Sequence, residues 1–344
     1  MFNPLIEIKG KNISEQVKNI DRRFIKLTEW LKISNLKIYR DIESASSDAS
    51  FRRYFRINTD KNSFIAMDAP PHKENCDIFL HVAKIFHEIG VNVPKIIDKN
   101  MSNGFILMDD FGSKHYLDVL KENPSKKKSL YSDAIDALLH LQAKGENYHN
   151  HFPFYTRDLI RKEILLFVDW FLIKKLGYEL AETEKEQFEA CISLLVDNAR
   201  EQPQVIVHRD YHSRNLMHLS SRNPGILDFQ DAVIGPITYD LVSLLRDCYI
   251  SLSPDLIELL FDKFYENLND KIRNSYSRNR FKRFFDLMGI QRHLKAIGIF
   301  SRLNYRDGKQ NYLKDIPRTL NYIYHVSENY KELCFLRELI ANIK

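Results

Sequence analysis

Two short apolar runs in the middle of the chain, Val205–Val207 and Gly225–Leu227, each end in groups that can do chemistry. The first delivers His208, Arg209 and Asp210, with Asn215 a short way on. The second delivers Asp228, then Phe229 and Gln230. An acid in a loop, an amide soon after it and a second acid ending a later strand together make a phosphate-transfer site. In such a site Asp210 orients, and can deprotonate, an attacking hydroxyl. Asn215 and Asp228 hold magnesium against nucleotide phosphates, since magnesium takes hard oxygen ligands. Two other readings use the same residues. Asp210 and Asn215 could simply make turn hydrogen bonds between buried strands. His208 and His212 could bind zinc, although Arg209-Asp210-Tyr211 between them indicates a loop and the chain has no helical H-E-x-x-H.

Elements on both sides must position these residues. Val17, Ile20, Phe24, Ile25, Leu27, Trp30 and Leu31 recur at helical spacing, which predicts an amphipathic helix over Ser14–Ile33. Three strands are expected at Leu36–Glu43, Phe51–Asn58 and Phe64–Asp68, with Thr59–Asn62 as the second hairpin turn. The small residues Ser47, Asp48, Ala49 and Ser50 fall in the first hairpin loop, where backbone N–H groups can approach phosphates closely. The loop has no glycine, and an ordinary serine-rich turn is the other reading. A helix is expected over Cys76–Ile89, then strands at Pro94–Asp98 and Gly104–Met108. Met108 and Asp109 open a hinge, Asp109–Gly112, whose backbone could pair with adenine. From Tyr116 onward the 3.6-residue pattern prevails, in segments near Leu130–Ala143, Leu159–Leu176, Thr183–Ala199, Tyr239–Asp247, Leu256–Leu268, Phe281–Leu303, Arg318–Val326 and Glu328–Ile343. The expected fold class is therefore α+β: a β-rich lobe with one internal helix over residues 1–110, and a helical lobe over 111–344.

Composition bounds the partners. The 344 residues suffice for two lobes, and 22 Phe with 17 Tyr can fill a sizeable core. The net charge of +5 is mild, with acids and bases interleaved. Only Lys126–Lys128 form a tight basic run, and no recognition motif accompanies it, so no nucleic-acid partner is expected. Cys76, Cys191, Cys248 and Cys334 are widely spaced, as in a reduced protein of the cytoplasm. The first residues lack the long apolar core of a signal peptide, and the greasiest run, Ile164–Ile173, is too short to span a bilayer. No membrane partner is expected.

The spacing H-R-D-x-x-x-x-N followed by a strand ending in Asp resembles the kinase catalytic loop and its metal-binding acid. Over most of its length the chain resembles the aminoglycoside phosphotransferase superfamily, small-molecule kinases with a bilobal, protein-kinase-like fold. The stretches that carry the resemblance are SDASFRRYFRI at Ser47–Ile57, MDAPP at Met67–Pro71, HRDYHSRNLM at His208–Met217, LDFQDAVIGPITYDLVSLLRDCY at Leu227–Tyr249 and RHLKAIGIFSRLNYRDGKQNYLKDIPR at Arg292–Arg318. The more distinctive of these, DASFRRYFR, DFQDA and the RDGK segment, are similar to anomeric amino-sugar kinases of peptidoglycan recycling.

The resemblance implies an ATP- and Mg2+-dependent enzyme that phosphorylates the anomeric hydroxyl of N-acetylmuramate or N-acetylglucosamine. It implies Asp210 as catalytic acid, Asn215 and Asp228 as metal ligands, and Ser47–Ser50 as the phosphate-covering turn. Asp231 is expected near the acceptor, and Arg302 or Arg306 is expected to read the carboxylate that only N-acetylmuramate carries. Asp240 is expected to cap a helix or brace the catalytic loop. Many kinases hold ATP with a lysine on the third strand; here Met67 stands there, and Arg52, Arg53 or Arg56 could supply the charge instead. Asp109-Asp110-Phe111-Gly112 matches a D-F-G motif in letters, but it precedes the catalytic loop, the wrong order for the metal acid. Two alternatives remain: a kinase of another small hydroxylated molecule, of aminoglycoside, choline or thiamine type, and a catalytically silent nucleotide-binding regulator.

Overall fold

The structure is a computed structural model that describes residues 21–34, 36, 39–46 and 51–343. The chain divides into two compact units, one of residues 1–76 and 96–110, the other of residues 77–95 and 111–344.

In the first unit, helix α1 (Arg22–Ile33) starts where the Asp21 carboxylate accepts the N–H groups of Arg23 and Phe24, at 3.1 and 3.0 Å. Its spaced apolar residues Leu27, Trp30 and Leu31 are buried with Ile57, Ala66, Phe105 and Leu107 of the sheet. That sheet comprises β1 (Asp41–Ser46), β2 (Arg53–Asn58), β3 (Ser63–Asp68), β4 (Ile96–Asn100) and β5 (Phe105–Asp109), in the antiparallel order β1-β2-β3-β5-β4. The first strand lies further along the chain than the sequence suggests. Ser44 and Ser46, expected in a loop, pair with Phe55 and Tyr54 around a bulge. Pairing with an aromatic strand overrides the weak strand preference of serine. The expected helix residues before Asp21 lie outside the described region. At Gly104, φ is +70° and a Cβ would sit 1.9 Å from the Ala69 carbonyl, so only glycine allows this turn.

The second unit takes in α2 (Cys76–Glu88), all but its first residue, which the sequence groups with the sheet. The reason is aromatic packing: Phe79 stacks on Phe229 at 4.9 Å, and Phe86 contacts Phe229 and Phe152. The helices that follow are α3 (Tyr116–Glu122), α4 (Lys127–Lys144), α5 (Arg157–Leu166) and α6 (Glu182–Glu201). Four short strands come next: β6 (Gln204–Val207), β7 (Leu216–Met217), β8 (Gly225–Ile226) and β9 (Val233–Pro236). The chain ends in α7 (Tyr239–Leu245), α8 (Pro254–Glu266), α9 (Asp270–Ser275), α10 (Arg278–Asp307), α11 (Ile316–Ser327) and α12 (Cys334–Ile343).

Helix α10 is the axis of this unit. Its buried residues cover all faces, from Phe281 through Leu303, as expected of a helix wrapped by others. Where it meets α5 the approach is close enough that a Cβ on Gly298 would lie 2.4 Å from the Leu166 carbonyl carbon. There the long helix expected over Leu159–Leu176 changes to π-helical turns, Phe167–Leu176. Cys76, Cys191 and Cys248 are buried, Cys334 is exposed, and all four are free thiols. Among the described residues no helix is long and apolar enough to cross a membrane.

Candidate active site

Two small antiparallel ladders present the polar residues. β6 pairs with β9, Val207 opposite Val233, and β7 pairs with β8, Leu216 opposite Ile226. The catalytic loop leaves β6 and returns at β7, so Asn215 is fixed by the ladder that also carries the chain into Asp228. The Leu227 N–H donates to the Asn215 carbonyl at 2.9 Å. The Asn215 side-chain amide donates to the Asp210 carbonyl at 3.0 Å and reaches Asp228 Oδ2 at 3.4 Å. Gln230 Nε2 donates to Asp228 Oδ1 at 2.8 Å. The structure thus brings together the three residues that the sequence singled out. Phe229, next to Asp228, is locked into the α2 aromatic cluster, a burial that contributes about 1.5–3 kcal/mol.

The loop is strained and braced. Arg209 and Asp228 have φ of +77° and +62°, a region that costs a non-glycine residue about 1–3 kcal/mol. Fully buried Asp240 offsets the first. Its two carboxylate oxygens accept the N–H groups of His208 and Arg209, at 2.6 and 3.0 Å. Hydrogen bonds to a charged group contribute about 1.5–3 kcal/mol each, enough to hold the strained turn. Burial pushes the Asp240 carboxyl up to about 7, against the pull of these donors. Asp247 braces the other end, accepting the Ser213 N–H at 2.9 Å and its hydroxyl at 2.5 Å. His208 accepts the Asp210 N–H through Nδ1 at 3.3 Å, and burial pushes its pKa down to about 4, so it stays neutral.

Asp210 is only partly buried, and among the described residues no hydrogen bond ends on its carboxylate oxygens. Burial alone would raise its pKa, but Lys295, then His212, Arg292 and Arg209, hold it below the ordinary carboxylate range. It is therefore an ionised hydrogen-bond acceptor. Two of these cations are themselves ordered by Glu163. This buried acid pairs with Lys295 at 3.0 Å and with Arg209, and accepts the Tyr155 hydroxyl. Burial would raise Glu163 too, and Lys295 and Arg209 bring it down. Lys295 also donates to the Tyr239 hydroxyl at 3.0 Å, and Gln291 donates to Tyr155 at 2.7 Å. None of Glu163, Lys295, Asp247 or Tyr155 was identified as a site residue from sequence. A signal existed: Arg292 and Lys295 stand among the apolar residues of Leu287–Phe300 in α10, and such charges are retained where they have partners.

The remaining expected positions are dispersed. Ser47, Asp48, Ala49 and Ser50 lie outside the described residues. Met108 is buried in β5 opposite Ile65 and Ile96, and Asp109 ends that strand opposite Phe64, partly exposed. Asp231 is exposed. Arg302 is half-buried on α10 with an unpartnered Nε, whereas Arg306 is exposed and bonded to the adjacent Asp307 at 2.8 and 3.0 Å. Met67 is fully buried between β2 and β5. The three candidate arginines are ion-paired: Arg52 with Glu74 at 3.0 Å, Arg56 with Asp110 at 2.6 Å, and Arg53 with Asp21 and Asp68.

The donors fit magnesium. Asn215 and Asp228 are neighbours and each carries a hard oxygen, and that ion is usually held by one or two carboxylates with substrate phosphates completing its shell. Among the described residues no three His, Cys, Asp or Glu side chains group as a self-sufficient metal site, so His208 and His212 gain no third ligand for zinc.

The chain is similar to several known proteins. Residues 41–270 match the model of the phosphotransferase enzyme family. A curated N-acetylmuramate/N-acetylglucosamine kinase of Pseudomonas putida is 41% identical over 335 residues, 94% of this chain and 97% of that protein. The kinases of the same name from Pseudomonas aeruginosa and Neisseria meningitidis are 40% and 39% identical, also over 94% of this chain and over 97% and 96% of their own lengths. Among solved structures, the choline kinase LicA of Streptococcus pneumoniae superposes with a TM-score of 0.63 at 10% identity, covering 88% of this chain and 99% of that one. An ADP-bound aminoglycoside phosphotransferase, APH(2'')-Ib, gives 0.58 at 13% identity, covering 88% and 98%. At such identity the likeness is one of fold: a bilobal kinase-like α+β architecture with a β-sheet unit and a helical unit. The chain belongs to the phosphotransferase enzyme family, a family of enzymes, and groups there with the N-acetylmuramate/N-acetylglucosamine kinases.

Proposed function

We propose that this protein transfers the γ-phosphoryl group of ATP to the anomeric hydroxyl of N-acetylmuramate and N-acetylglucosamine, giving the sugar 1-phosphates. The observation that carries the substrate assignment is near-full-length identity, 39–41%, to three kinases named for these two sugars. The site supports the chemistry. Asp210 is ionised and accepts the sugar hydroxyl, which is more acidic than an ordinary alcohol because it sits on an anomeric carbon. Orientation is then the larger part of its contribution, and no covalent enzyme intermediate is needed. Asn215 and Asp228 would hold magnesium, which when bound neutralises phosphate charge. Lys295, Arg292 and Arg209 keep Asp210 charged, and Asp240 and Asp247 keep the loop in place. We assign residues 1–110 to nucleotide binding, with contacts at Ser47–Ser50 and the Met108–Asp109 backbone, and residues 111–344 to catalysis and the acceptor. Asp231 remains assigned to the acceptor side.

The test is incubation with ATP, magnesium and each sugar, followed by phosphorus NMR. A new resonance coupled to the anomeric proton is expected. A product phosphorylated at another hydroxyl would contradict the regiochemistry. Turnover only with choline or an aminoglycoside would replace the substrate, and magnesium-dependent nucleotide binding without any turnover would identify a silent regulator.

A further inference from the structure

We propose that Arg214, set between the rings of Tyr249 and Tyr312, binds the carboxylate of the lactyl ether that distinguishes N-acetylmuramate from N-acetylglucosamine. The inference rests on the sugar-kinase reading above and names the residue that sorts its two substrates. Arg214 lies in the catalytic loop between Asp210 and Asn215 and is exposed. Its guanidinium carbon is 4.7 Å from the centre of the Tyr249 ring and 5.5 Å from that of Tyr312. Contacts with both tyrosines, ring stacking and side-chain hydrogen bonds, restrain the planar fork.

What Arg214 lacks is an acid. Two other arginines near the site are neutralised, Arg209 by Glu163 and Arg246 by Asp286. Among the described residues Arg214 has no ion pair, and the acid within electrostatic range, Asp315, is taken by Arg318 at 3.1 Å. Its setting is built from several elements. Tyr249 meets His212 edge-on at 5.2 Å and lies 6.1 Å from Phe300, which stacks on Tyr312 at 5.7 Å. These rings form an apolar wall beside the loop that holds the acceptor's attacking oxygen.

A second observation points to an anion. His212 and Arg292 are more than nine-tenths buried, yet His212 Nδ1 and Arg292 Nε have no hydrogen-bond partner. Arg292 makes only a 3.9 Å contact to the Cys248 sulfur and has no ion pair among the described residues. Buried polar nitrogens without partners are rare in folded proteins. A carboxylate suits a guanidinium fork, which can bind both of its oxygens. A neutral sugar would leave the fork in water.

The test compares kcat/KM for N-acetylmuramate, its methyl ester and N-acetylglucosamine in the wild type, Arg214→Ala, Arg214→Lys and Arg302→Ala. The ratio between the acid and the neutral sugar is the readout, because a general loop defect lowers both numbers alike. In Arg214→Ala that ratio should fall about 10- to 100-fold, with Arg214→Lys intermediate. The wild type should discriminate against the ester, which needs no variant to fold. A wild type inactive on both sugars would overturn the sugar-kinase reading and the inference with it. A wild type active on both, with an unchanged ratio in Arg214→Ala or equal turnover of acid and ester, would overturn the inference alone. A fall in Arg302→Ala in place of Arg214→Ala would assign the carboxylate to α10 instead.

Discussion

Two aspartates in this chain stand among cations, and they are put to opposite uses. Asp68, at the end of β3, is fully buried, and both of its oxygens are consumed. Arg23 Nε donates to one at 2.8 Å and Arg53 Nε to the other at 3.0 Å. Arg23 continues to the Asn103 carbonyl at 2.6 Å, so the acid ties α1, β2, β3 and the β4–β5 turn into one body. Asp210 has four cationic or imidazole groups in range, led by Lys295, but among the described residues none hydrogen-bonds to its carboxylate. Two of those groups are fastened elsewhere, Lys295 and Arg209 to Glu163. A saturated acid holds a fold together; an acid that is charged but unsaturated can take a substrate. The number of cations nearby does not distinguish them; where the cations' own hydrogen bonds go does.

The largest departure expected from this comparison is at the second acid of the site. Asp228→Ala should lower kcat by at least about a thousandfold and weaken magnesium-dependent ATP binding, since the proposed charged metal ligand is lost. Unchanged calorimetric affinity for magnesium–ATP would remove Asp228 from the metal and leave it a purely catalytic role. Next is the saturated acid. Asp68→Asn strips charge from a buried pair of ion pairs and should destabilise the fold by about 3–5 kcal/mol. Denaturant unfolding measures the loss, and turnover of the remaining folded protein should stay near normal. A stable Asp68→Asn protein with collapsed turnover would erase the contrast. The smallest effect is a slope. The Asp240 carboxyl has its pKa pushed up to about 7, above its unfolded value of 3.8. Its contribution to stability is therefore fully present below about pH 4 and is lost as pH rises to about 7. The melting-temperature difference between wild type and Asp240→Asn should drift against the wild type across that window. A flat difference would mean that Asp240 stays ionised throughout, as its two N–H donors favour.

The sequence was most informative where chemistry is local in the chain. Asp210, Asn215 and Asp228 are close in sequence, and their types and spacing suffice to name them. The bracing role of Asp240 was also legible, because its acid opens a helix soon after the loop. Most of the longer helices of the second unit follow from periodicity, whereas short α9 and the π-helical turns of Phe167–Leu176 do not. Less legible were groups joined only by the fold. Glu163 and Lys295 sit on α5 and α10, far apart in the chain, and nothing in either segment says that they meet at Arg209. The end of β1 differs from the expected Glu43 because strand pairing, not the composition of Ser44–Ser46, decides it. The grouping of α2 turned on Phe79 and Phe86 meeting Phe229, a contact across a long stretch of chain. Arg302 and Arg306 were chosen for their charge, but charge does not show that Arg306 is already bonded to Asp307.

The most direct measurement takes Asp210→Asn and records sugar turnover and magnesium–ATP affinity on one preparation. An acid that faces the acceptor and not the nucleotide should, when neutralised, lower kcat by about 100- to 10,000-fold while leaving the affinity within about twofold of wild type. Retention of most of the turnover, or parallel loss of nucleotide binding, would contradict the account.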